Sequence, residues 1–105
     1  MSSYQIFLDD IRDPVTDGWV IVRSFKEAVT YVTVHGCPTY VSFDHDLGLS
    51  ETGYDFAKWL VNKDLDENGR WMPRDFKFNV HSANPVGARN IQTYLDNYLS
   101  ERVDY

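Results

Sequence analysis

Three short apolar runs in this chain each end abruptly in acid, imidazole or hydroxyl side chains, and that repeated junction constrains the fold more than any other feature. Tyr4-Gln5-Ile6-Phe7-Leu8 runs into Asp9-Asp10, Tyr40-Val41-Ser42-Phe43 into Asp44-His45-Asp46, and Phe76-Lys77-Phe78-Asn79-Val80 into His81-Ser82. Runs of this length read as strands. In an open parallel sheet the carboxyl ends of the strands lie along one edge, and ligands bind in the crevice outside that edge. A sheet built this way brings Asp9, Asp10, Asp44, Asp46, His45, His81 and Ser82 to one place.

The intervening segments read as helices. Phe25, Ala28, Val29 and Val32 follow the i, i+3, i+4, i+7 spacing, with Ser24 as N-cap and Gly36-Cys37-Pro38 as the stop. Phe56, Ala57, Leu60 and Val61 repeat the spacing after Thr52-Gly53-Tyr54-Asp55, a capping box with Asp in the place of Glu. Ile91, Tyr94, Leu95 and Tyr98 mark a third helix, capped by Asn84 with Pro85 at its first position.

Residues 4–8, 19–22 and 40–43 are mainly continuous apolar runs, as expected where both faces of a parallel sheet are covered, whereas 76–80 alternates like an edge strand. Right-handed crossovers then give an α/β fold with a mainly parallel four-stranded sheet in the order 2-1-3-4. The first two helices fall on one face and the C-terminal helix covers the other, making three layers. Strand 2 is the hardest to place, because Asp9 to Gly18 is short for a crossover between parallel strands.

At 105 residues the chain reads as one domain spanning 1–105. Its net charge of −6 argues against generic nucleic-acid binding, which depends on Lys and Arg neutralising phosphates. No apolar run approaches the ~18 residues a membrane span requires, and Met1-Ser2-Ser3 lacks the apolar core of a signal peptide. The single cysteine, Cys37, excludes an internal disulfide and suits a reducing cytoplasm.

Carboxylates held together either raise one another's pKa or recruit a cation. A hard divalent ion such as Mg²⁺ or Mn²⁺ takes oxygen ligands and needs only one or two protein carboxylates beside phosphate oxygens. Asp10 and Asp44 are the expected ligands, with Asp9 and Asp46 as neighbours or water-mediated ligands. His81, at a strand end and before a helix start, suits general acid or base work. His45 is either an acid–base partner or structural, and His35 near a helix end reads as solvated or dipole-facing. The segment His81-Ser82-Ala83-Asn84-Pro85-Val86-Gly87 has the makings of a phosphate cradle, with helix N–H groups, Ser82 and Asn84 as donors and Gly87 allowing close approach. The same residues also read simply as a well-capped helix. Arg12 either clamps a phosphate or neutralises Asp10 and Asp13.

Four motifs in order are similar to those of the cyclic-phosphate processing receiver-like family, relatives of response-regulator receiver domains: Leu8-Asp9-Asp10-Ile11-Arg12-Asp13-Pro14, Phe43-Asp44-His45-Asp46-Leu47-Gly48, Thr52-Gly53, and the run from His81 to Ile91. The resemblance covers nearly the whole chain. It implies a reduced receiver-like, flavodoxin-like fold and a metal-dependent reaction on a cyclic phosphate, with Asn90 joining Arg12, Ser82, Asn84 and Gly87 as phosphate contacts. Unlike in ordinary receivers, the residues after the fourth strand read as a single helix, so no fifth strand is expected to carry a lysine into the pocket. The resulting expectation is a phosphoesterase that opens cyclic phosphates on nucleotide-like or ADP-ribose-like small molecules, with Asp44, His45 and His81 as catalytic groups. The competing expectation is a degenerate receiver that binds a nucleotide or protein and performs no chemistry.

Overall fold

The structure is a computed structural model that describes residues 3–102. Four strands, β1 (Gln5–Leu8), β2 (Trp19–Val22), β3 (Tyr40–Phe43) and β4 (Lys77–Val80), form one all-parallel sheet in the order β2-β1-β3-β4. The helices are α1 (Phe25–His35), α2 (Gly53–Asp66) and α3 (Pro85–Glu101). Each starts at the residue its sequence marks. Ser24 accepts from the Glu27 N–H, Thr52 and Asp55 form a complete capping box, and the Asn84 side chain accepts from the Gly87 N–H.

Strands β1 and β2 run parallel and fully in register although no helix joins them. Arg23, just past β2, secures the connecting loop by donating to the carbonyls of Asp9 and Arg12 and pairing with Asp13. The strand ladder continues one residue beyond the strands themselves. Asp9 N–H donates to Val22 O, Asp44 N–H to Leu8 O and His81 N–H to Phe43 O, which aligns the three strand ends side by side.

In-register pairing sets Ile6, Val20, Val41 and Phe78 on the same sheet face as Leu8, Val22, Phe43 and Val80. That face packs into one core with Ala28 and Val32 of α1, Phe56, Ala57, Leu60 and Val61 of α2, and Ile91 and Leu95 of α3. All three helices therefore lie on one side, α2 touching both α1 and α3. The α/β, receiver-like character and strand order agree with the sequence reading, but the third layer does not: α3 joins α1 and α2 instead of covering the far face. The reason is the composition of that far face. Gln5, Ser42, Lys77 and Asn79 share it with Phe7, Trp19, Ile21 and Tyr40, so it offers less apolar area to bury than the wholly apolar core face. Tyr94 packs edge-to-face on Tyr54 at 5.5 Å, and the Tyr98 hydroxyl donates to Asp64 at 2.6 Å.

Candidate active site

The pocket forms where Asp9, Asp44 and His81 leave adjacent strands. Asp9 is fully buried, and its carboxylate accepts from four groups. Oδ1 takes the N–H groups of Ile11 (3.0 Å) and Arg12 (2.8 Å), an Asx turn that opens the loop. Oδ2 takes His81 Nε2 and Arg12 Nε, each at 3.0 Å. A carboxylate has about four lone-pair sites, so Asp9 is saturated. Burial pushes its pKa up, but the Arg12 and Ile11 N–H groups, His81 and the Arg12 charge outweigh burial and hold it below the ordinary value.

Asp44 answers differently to the same surroundings. It is 5% exposed, and burial together with the nearby Asp9 charge raises its pKa despite Ser82, Arg12 and the His45 N–H. The Arg12 Nη2 lies 3.6 Å from Asp44 Oδ1, so one guanidinium spans both aspartates. Asp10 is half-buried, and oxygens of Asp9, Asp10 and Asp44 lie within 4.8 Å of one another. This is a hard oxygen donor set of the kind that suits Mg²⁺ or Mn²⁺. With Asp9 saturated, Asp10 and Asp44 are the carboxylates with capacity for an ion. Asp46 is not in this cluster.

His81 has both ring nitrogens engaged. An ionised Asp9 only accepts, so Nε2 carries a hydrogen toward it. Nδ1 lies 2.7 Å from Ser42 Oγ, which in turn accepts from Asn79 Nδ2 at 3.3 Å. The ring also stacks on Phe7, with centroids 4.4 Å apart and planes 4° from parallel. A carboxylate, an imidazole and a hydroxyl are thus joined in line, the arrangement that lets a histidine hold and move a proton in a fixed orientation. Ser42, Asn79 and Phe7 belong to this array although the sequence reading gave them no role. The available signal was the polar alternation of β4 and the serine inside an otherwise apolar β3.

The remaining candidates form a neighbouring group at the start of α3. Asp46 is exposed, accepting from Asn84 and pairing with His45 Nδ1 at 2.9 Å. His45 and Asn84 hold its pKa below the ordinary value. Ser82 accepts from Asn84 N–H, and its side chain also bonds Asp44, linking the two groups. The open side of Gly87 is filled by the His45 ring, since a Cβ there would fall 2.3 Å from His45 Cγ. Gly53 meets a similar demand, because its Cβ would lie 1.8 Å from the Asp44 carbonyl oxygen that α2 must approach. Asn90 is exposed on α3.

The model of the cyclic-phosphate processing receiver domain matches residues 4–97, a span that takes in every element of the sheet and all but the last residues of α3. The chain belongs to that family. No curated protein and no solved structure matches it. Among the described residues no helix is long and apolar enough to cross a membrane.

Proposed function

We propose that this receiver-like domain hydrolyses cyclic phosphodiesters of small nucleotide-like molecules to monoesters, with a divalent ion at the acidic cluster. One observation carries the reading: an imidazole and a guanidinium converge on the buried Asp9 while Asp10 and Asp44 stand within 4.8 Å of it. Family membership supports the cyclic phosphate as the reacting group. Asp10 and Asp44 would hold the ion, which supplies polarisation of a phosphoryl oxygen and acidification of a water when bound.

The chain's own residues account for the other requirements. Arg12 faces the nonbridging oxygens, a task for which a planar guanidinium is suited, and Ser82 adds a hydroxyl beside Asp44. Arg12 and Ser82 are the two donors that reach Asp44 itself, so the phosphate contacts are assigned to them. Hydrolysis joins the oxygen of water to phosphorus, whose surplus proton passes to solvent, and breaks one bond to a sugar oxygen, which leaves needing a proton. His81 provides it. Because Nε2 is committed to Asp9, the proton leaves from the Nδ1 side through the Ser42 hydroxyl, which is replenished from the imidazolium. Asp9 fixes the orientation of the ring.

Steady-state kinetics on a nucleoside 2′,3′-cyclic phosphate test the reading. Asp44→Asn and His81→Ala are each expected to lower kcat by about 10²- to 10⁴-fold, the range of acid–base catalysis. The double variant falls scarcely below the poorer single one, because groups acting as a unit are not additive. Normal turnover by His81→Ala would remove it as the acid.

A further inference from the structure

The far face of the sheet, free of helices among the described residues, carries a cavity of about 340 Å³ roofed by the loop between β1 and β2. Arg12 and His81 both line it, and both touch Asp9, so the cavity and the acidic cluster share a wall. A single molecule can therefore reach from one into the other. The volume is at the lower end of small-molecule pockets, about 300 to 1,000 Å³.

Its lining is specific in character. Trp19 forms one side, its indole held by an Nε1–H donation to Thr16 Oγ1 at 3.0 Å and by edge contacts with Phe7 and Tyr40. Pro14 and Val15 come from the loop, Val15 being fully exposed. Asn79 supplies a polar group on the sheet. One of its amide hydrogens goes to Ser42, while its carbonyl oxygen and second amide hydrogen meet no partner among the described residues. Arg12 is the one Lys or Arg side chain in the lining.

We infer that this cavity seats the nucleobase of the substrate, with Trp19 as its stacking wall and Asn79 as the residue that reads its edge. An aromatic wall rewards a flat π-system. A side-chain amide with a free acceptor beside a free donor matches the adjacent donor and acceptor on a base edge. With Arg12 directed to Asp9 and Asp44 and His81 committed to Asp9 and Ser42, the lining has no second Lys or Arg for a pyrophosphate, which favours a simple nucleoside cyclic phosphate over an ADP-ribose-like molecule. This inference rests on the proposed function only for where the phosphate lies.

Tryptophan fluorescence can be titrated with adenosine 2′,3′-cyclic phosphate and with the base-free methyl ribofuranoside 2,3-cyclic phosphate, both with Mg²⁺ and read before turnover. The nucleoside compound is expected to quench saturably and to bind about tenfold or more tightly than the base-free one, the order that base stacking supplies. Trp19→Leu should weaken its binding by a similar factor. Asn79→Ala should weaken it less and flatten preferences among adenosine, guanosine and cytidine forms. Circular dichroism melts check folding, and if Trp19→Leu does not fold, the exposed Asn79 position carries the test alone. Equal binding of the two compounds, no saturable binding of the nucleoside form, or parental binding by Asn79→Ala together with any folded Trp19→Leu overturns the inference. A protein that binds the nucleoside compound this way but opens no ring keeps the base site and loses the proposed reaction; ring opening indifferent to the base does the reverse.

Discussion

Two fully buried carboxylates sit at opposite edges of this sheet, Asp9 at the carboxyl edge and Asp64 in the last turn of α2. Asp64 accepts from the N–H groups of Trp71 and Met72 at 2.9 and 2.7 Å and from the Tyr98 hydroxyl, and it pairs with Arg102 at 3.7 Å. Arg102 in turn donates to the carbonyls of Met72 and Pro73. That assembly pairs Asp64 with Arg102 and ties α2, the following loop and the end of α3 together. Asp9 is equally well bonded, yet Asp10 and Asp44 crowd beside it, and the Arg12 guanidinium reaches both Asp9 and Asp44. Burial of an acid is common to both regions. What separates them is crowding: among the described residues three carboxylates meet at the carboxyl edge, where burial and the Asp9 charge raise the Asp44 pKa.

The largest effect expected from this contrast is structural. Removing Asp64 leaves the largely covered Arg102 guanidinium without its counter-charge, a loss worth up to about 3–5 kcal/mol, the range for a broken buried pair. Denaturant unfolding of Asp64→Ala should register it, and a loss below about 1 kcal/mol would show that the clasp contributes little.

Next comes the response to a divalent ion. An ion that binds only the folded chain stabilises it by about 2.7 kcal/mol at a hundredfold excess over its Kd. Thermal melts with Mg²⁺ or Mn²⁺ should rise relative to melts at matched ionic strength, and Asp44→Asn should abolish the rise while Asp64 plays no part in it. No rise at several millimolar would mean that Arg12 suffices for the pocket.

The smallest effect is a difference in sign with pH. The Asp9 pKa is lowered by folding, so its contribution is present above the unfolded value of about 3.9 and lost as pH falls through the folded value. The Asp44 pKa is raised, so its contribution is present below about 3.9 and lost as pH rises through the folded value. Without metal, Asp44→Asn should thus be no less stable than the parent near neutral pH, and more stable by up to the order of 1 kcal/mol. Stability curves from pH 3 to 8, spanning about the ordinary carboxylate range, would show it. A clearly less stable Asp44→Asn would make Asp44 a structural partner like Asp64.

The sequence exposed the carboxyl edge more fully than the amino edge, for physical reasons. Asp9, Asp44 and His81 each directly follow a strand, so parallel order alone brings them together, and Ser24, Thr52 and Asn84 announce the helix starts. The face taken by α3 was not legible, because among the described residues no strand follows it and crossover handedness fixes a helix only between two parallel strands. Its best clue was the polar alternation of Gln5, Ser42, Lys77 and Asn79. Asp64 continues the Ala57, Leu60, Val61 stripe of α2, a polar residue at a core position, but its partners Tyr98 and Arg102 are too distant in sequence to be paired by spacing. Arg23 was missed similarly, since its role depends on β2 lying beside β1.

The most direct test of the account is ³¹P NMR of a nucleoside 2′,3′-cyclic phosphate incubated with the protein and Mg²⁺, beside acetyl phosphate under the same conditions. The account predicts that the cyclic resonance gives way to that of a monoester, that chelation stops the conversion, and that Asp44→Asn lacks it. An unchanged cyclic resonance, with acetyl phosphate instead leaving a stable phosphoryl group on Asp44, would contradict it and make the domain a signalling receiver.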